Sequence, residues 1–129
     1  MEINDNEIFY FENGILAFEE ETKFIILNSE QENFYWLQSA EDPDLALPCM
    51  DPDVIVENYN VNVDDDTIKS LGINDDSDVL VLCIVRIPEN FKDATVNLMA
   101  PIIINRTAGK GAQIIPENTP YNVRHRLFI

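Results

Sequence analysis

Basic side chains are scarce in this sequence. It has eight lysines and arginines against 24 aspartates and glutamates in 129 residues, a formal net charge of −16. A chain this acidic repels phosphate, so no direct nucleic-acid binding is expected. Anionic membrane surfaces are disfavoured for the same reason. No apolar run approaches the ~20 residues that span a bilayer, and the N-terminus lacks a secretion-signal pattern. Histidine occurs once, as His125 between Arg124 and Arg126. Any His–nucleophile–acid arrangement would have to run through that residue, close to the C-terminus, so no enzyme activity is expected. Cysteine occurs twice, as Cys49 and Cys83. One histidine and two separated cysteines provide no zinc spacing. Their apolar neighbours, Leu47 and Met50, and Leu82 and Ile84, predict buried, reduced thiols of a cytoplasmic protein. Glycine is limited to four residues. Gly109-x-Gly111 is too short for a phosphate loop and reads as turn geometry. No metal and no cofactor is expected.

What is present is acid, and it is unevenly spread. Residues 1–85 carry 21 acidic and 2 basic side chains, whereas residues 86–129 carry 3 acidic and 6 basic. Acidic surfaces keep proteins dispersed; a lopsided field also attracts basic partners. The clusters Asp64-Asp65-Asp66 and Asp75-Asp76-x-Asp78 lack the spacing of a calcium loop and read as a helix cap and a solvated loop. Hydrophobic residues make up 46% of the chain, which fits one packed domain over residues 1–129.

Strand signals dominate. They fall at Glu7–Glu12, closed by Asn13-Gly14, and at Phe24–Leu27. Phe34 to Asp53 reads as strand, proline turn and strand, with Trp36 in the core and Glu41, Asp42 and Asp44 on the turn. Tyr59, Val61 and Val63 alternate with asparagines, which predicts another strand. Asp64 and Gly72 bracket the one helix, over about 65–71, with Ile68 and Leu71 turned inward. Val79–Ile87 is apolar on both faces, as expected of a central or barrel-wall strand. Thr95–Asn105 predicts a long strand with an edge or bulge at Pro101, and Gln113–Ile115 a short one. This rhythm predicts a mainly β fold: a twisted, largely antiparallel sheet curled into a partly open β-barrel.

Several stretches in order resemble one family. They are FENGILAFE at residues 11–19, FYWLQS-x-EDPDLA from Phe34, the acidic helix ending in LGI, VLCIVRIPE, VNLMAPIIIN and Tyr121-x-x-Arg124-His125. Together they resemble the bacterial flagellar assembly factor family, FliW, over nearly the whole chain. Asn13 stands where the family usually has proline, Ala17 where it often has a second glycine, and Arg126 where it usually has proline.

The resemblance implies a non-enzymatic cytoplasmic regulator. It implies two partners: the RNA-binding translational repressor CsrA, which is kept from silencing flagellin messenger RNA, and flagellin itself. The expected partner-binding residues are Glu41, Asp42 and Asp44 as a negative field, Asn97, Met99 and Pro101 on an interrupted strand, and Tyr121, Arg124 and His125 in a basic tail. The free protein is expected to be a monomer. The alternatives from other classes are a ligand-binding barrel, which needs a deep pocket with converging polar groups, and an acidic structural adaptor.

Overall fold

The doubly apolar stretch becomes the strand that joins the two halves of the molecule. The computed structural model describes residues 7–128. Its strands are β1 (Phe9–Tyr10), β2 (Lys23–Asn28), β3 (Phe34–Ser39), β4 (Ala46–Met50), β5 (Val79–Arg86), β6 (Thr95–Val96), β7 (Ile102–Asn105), β8 (Lys110–Gln113) and β9 (His125–Arg126), with helix α1 at Asp65–Leu71. β5 pairs with β7 along one edge, Val79↔Asn105 through Leu82↔Ile102, and with β4 along the other, Cys49↔Ile84 and Met50↔Cys83. The order β4-β3-β2-β1-β8-β7-β5, together with the β4–β5 pairing, closes seven strands into a β-barrel, fully where the sequence suggested a partly open one. Neighbours are antiparallel except at the single β1–β8 step, Tyr10↔Lys110.

The two apolar faces of β5 are buried by different means. Leu80, Leu82 and Ile84 face the barrel interior with Phe9, Phe11, Phe24, Ile26, Leu37, Ile102 and Ile104. Cys83 and Val85 face outward under a second cluster that includes Met50, Val96 and Leu98, packed by Phe34, Ile55, Tyr59, Tyr121 and Leu127. Both cysteines are free and fully buried. Asp64 caps α1 by accepting from the Thr67 N–H at 2.7 Å, and the Thr67 side chain together with that N–H holds its carboxyl below the usual range. Gly72 ends the helix at φ 66°. Asn105 donates to the Leu71 carbonyl at 2.8 Å and so ties the helix end to β7.

Four expectations are corrected. Trp36 is 40% exposed on the outer face, because Tyr35, Leu37 and Ser39 take the buried positions of β3. Tyr59–Val63 forms no strand. The segment is pinned by side chains: the Tyr59 hydroxyl donates to the Leu98 carbonyl at 2.6 Å, and its ring lies 4.6 Å from that of Tyr121. Thr95–Asn105 is two strands on the same edge of β5, Val96↔Val85 and Ile102↔Leu82, so residues 97–101 bulge opposite Cys83 and Ile84. The bulge includes Pro101, where an interruption was expected. The strand foreseen at Gln113–Ile115 lies earlier, at Lys110–Gln113, because its partners in β7 end at Ile102↔Gln113.

Candidate partner-binding surfaces

The barrel interior is filled by side chains, so functional groups have to be sought outside it. An open depression of about 680 Å³ lies between α1 and residues 113–118, lined among others by Asn62, Asp64, Thr67, Gln113 and Glu117. Asp64 and Thr67 there already serve the helix cap.

The acidic turn between β3 and β4 is well braced. The Gln38 amide reaches the carbonyls of Ser39, Asp42 and Leu45 at 3.0–3.1 Å. The buried Ser39 hydroxyl donates to Glu21 at 2.7 Å and accepts from the backbone N–H groups of Glu41 and Asp42. Asp42 in turn accepts from the Asp44 N–H at 2.9 Å. Glu41 and Asp44 remain exposed and Asp42 partly so. The turn is therefore a preset display of negative charge.

Beside it runs an apolar strip. Trp36 lies across from Leu27 on β2 and Pro48 on β4, with exposed Glu30 and Glu32 on the β2–β3 turn at the other end. An exposed tryptophan between two acidic turns suits a partner that is basic and amphipathic, since aromatic side chains are the usual anchors of protein interfaces. Composition could not show this, because only the register of β3 decides which way Trp36 faces.

The remaining expected residues collect around the bulge and the tail, across β5 from that turn. Asn97 is committed to the bulge: its N–H donates to the Ile84 carbonyl at 2.9 Å, and its Oδ1 accepts from the N–H groups of Met99 and Ala100 at 3.1 Å. Met99 is half-buried and Pro101 buried. The Tyr121 hydroxyl accepts from the Asn60 N–H at 3.0 Å, which fastens the tail to the 51–60 segment. His125 is half-buried opposite Val96. Arg124 is exposed. Asn97, Tyr121 and His125 are thus held by the fold, and Arg124 is the residue of this group most open to a partner. Arg86, Phe91 and Phe128, also exposed here, were not among the expected residues. The excess of basic residues after position 85 was the available signal.

Among the described residues no helix is long and apolar enough to cross a membrane. The family model of the FliW protein matches residues 1–127. The chain belongs to the FliW family. It is 43% identical over 128 residues to the flagellar assembly factor FliW of Caldicellulosiruptor bescii, covering 99% of this chain and 84% of that protein. It is 41% identical over 129 residues to that of Thermosipho africanus, covering 98% and 89%. A crystal structure of the flagellar assembly factor FliW superposes with a TM-score of 0.89 at 38% identity, over all of this chain and 91% of that one.

One departure from the FliW pattern has a physical consequence. Gly14 sits at φ 64°, and a Cβ there would lie 2.6 Å from the carbonyl oxygens of Phe18 and Glu19. Ala17, where the family often has glycine, sits at φ 73°. The left-handed region costs a residue with a Cβ roughly 1–2 kcal/mol. Ala17→Gly is expected to stabilise the chain by about 1 kcal/mol once the added unfolded-state entropy is subtracted. Urea unfolding checks it, and a lower midpoint would show that the strain is absent.

Proposed function

We propose that this chain is a single-domain, non-enzymatic regulator of flagellar assembly that acts in the cytoplasm as a monomer. In this reading it binds the RNA-binding translational repressor CsrA, relieves repression of flagellin synthesis, and is itself titrated by flagellin. Family membership over the whole chain supports the assembly role. The observation that carries the repressor step is the apolar strip at Trp36 between Glu30 and Glu32 on one turn and Glu41, Asp42 and Asp44 on the other. A protein that binds RNA presents basic surface, and a negative field brought beside it weakens its hold on phosphate. Steering by such a field acts mainly on association rate.

The test separates complex formation from RNA displacement. Glu41→Gln, Asp42→Asn and Asp44→Asn together keep the oxygen that braces the turn and remove three charges. At low salt this triple variant is expected to slow association by about tenfold and to displace RNA less well. A matched triple, Asp75→Asn, Asp76→Asn and Asp78→Asn, serves as control. The effect should fade as salt shortens the screening length to about 8 Å. Unchanged RNA displacement in the first triple at low salt would rule out the field mechanism.

A further inference from the structure

Four of the chain's eight basic side chains, Arg86, Lys92, Arg124 and Arg126, gather on the ribbon that leaves the barrel beyond β5. Arg86 pairs across from Thr95 and Thr95 across from Arg126, so both arginines rise from one face on either side of the same residue. Neighbouring strands are about 4.8 Å apart, which sets the two arginine backbones roughly 10 Å apart. Arg124, exposed, stands in the turn that leads directly into β9. Arg126 lies 3.4 Å from Asp93, whereas Arg86 and Arg124 have no ion pair among the described residues. Phe91 and Phe128 add an apolar element: their rings meet edge to face at 5.9 Å, and they are 60% and 46% exposed.

The backbone is open as well. The Leu127 N–H donates to the Ala94 carbonyl at 3.1 Å. That bond turns the Leu127 N–H toward β6, and successive residues of an extended strand aim their backbone groups at alternate edges. The N–H and C=O of Arg126 therefore point to the far edge of β9, where no strand pairs among the described residues.

We propose that this edge docks an extended segment of a partner protein, carrying carboxylates and apolar side chains, which adds to β9 as a further strand. Main-chain bonds to the edge supply affinity, and the alternating side chains supply selection. Arg124 and Arg126 beside the edge take the carboxylates, Arg86 adds positive field behind them, and the Phe91–Phe128 pair takes an apolar residue. Charge selects a short acidic peptide over a nucleic acid. A few residues stay within the basic ribbon, whereas a long polyphosphate runs on over a body that holds nearly all the chain's acid. An open edge also matches peptide N–H and C=O groups, which a phosphodiester lacks. The inference goes beyond the repressor reading and stands apart from it, because the test uses this chain alone.

The experiment is an amide NMR titration of the full chain with an end-blocked decapeptide of alternating valine and glutamate. The Arg126 amide is expected to shift, and its hydrogen exchange to slow about tenfold, as for an amide entering a ladder. Arg86→Gln with Arg124→Gln should weaken binding on the order of tenfold while leaving signals from the barrel core in place. Should that variant misfold, the wild-type comparison with a valine–lysine decapeptide decides, because the basic peptide must fail. Equal binding of both peptides, an unmoved Arg126 amide, oligouridylate binding in place of the acidic peptide, or concentration-dependent protection of β9 without peptide would each overturn the proposal.

Discussion

Gly111→Ala is expected to lower the melting temperature by roughly 10 °C. Gly111 sits in β8 opposite Ile104, and a Cβ there would overlap Cζ of Phe11 and lie 2.6 Å from its Cε1. Phe11 is fully buried and meets Phe24 edge to face at 5.2 Å, so its ring has little room to retreat. Overpacking of this kind costs about 1–3 kcal/mol, and the close approach places it at the upper end. In a chain of this size each kcal/mol is worth roughly 3–5 °C. The site is also where the barrel has its one parallel step, with the Tyr10 N–H donating to the Gly109 carbonyl at 2.9 Å beside it. A double-mutant cycle with Phe11→Leu checks the cause. The smaller side chain makes room, so the double variant should lose less than the two single variants together. Additive losses would mean that the Phe11 ring is not what the new methyl meets.

The helix and the central strand were legible because their signals are local. Asp64 and Gly72 mark the ends of α1 by their own chemistry, and β5 is apolar at nearly every position whichever face is counted. Trp36 was not legible. Phe34-Tyr35-Trp36-Leu37 is apolar in both phases of the alternation, and a one-residue change of phase swaps the faces. The phase is set at a distance, by Phe24 and Ile26 on β2 filling the barrel, with Ser39 turned in to reach Glu21. Tyr59–Val63 misled for the complementary reason. It alternates like a strand but has no partner, and its backbone path is fixed by Tyr59 and Tyr121. In the interrupted strand, Pro101 marked an irregularity. Its extent depends on the Asn97 side chain accepting from two successive N–H groups, a choice that asparagine makes only in context. Of the surfaces, the acidic turn and the basic tail could be read as composition. Which apolar residues accompany them depended on register.

Alkali should unfold this protein, and the two buried thiols give the reason. Burial pushes Cys49 well above the ordinary thiol value of 9.0 and Cys83 up to about 12. Below pH 9 both thiols keep their protons in either state, and the contribution to stability is complete. Between pH 9 and about 12 the unfolded chain releases protons that the folded chain retains, so stability falls as pH rises. The slope is about 1.4 kcal/mol per pH unit for each thiol. By pH 11 the two together remove about 5 kcal/mol, comparable with the whole stability of many domains. Burial also raises the Tyr59 hydroxyl above its usual range, which steepens the fall beyond pH 10. Urea midpoints measured from pH 8 to pH 11 should therefore drop steeply above pH 9. Cys49→Ala with Cys83→Ala should start lower at pH 8, from lost packing, yet decline less up to pH 10. Adding Tyr59→Phe should flatten the rest. A cysteine-free variant as steep as the wild type would show that alkali acts elsewhere. The same burial makes both thiols unreactive at neutral pH, because the thiolate is the nucleophile. Reaction with a disulfide reagent should then track the alkaline opening.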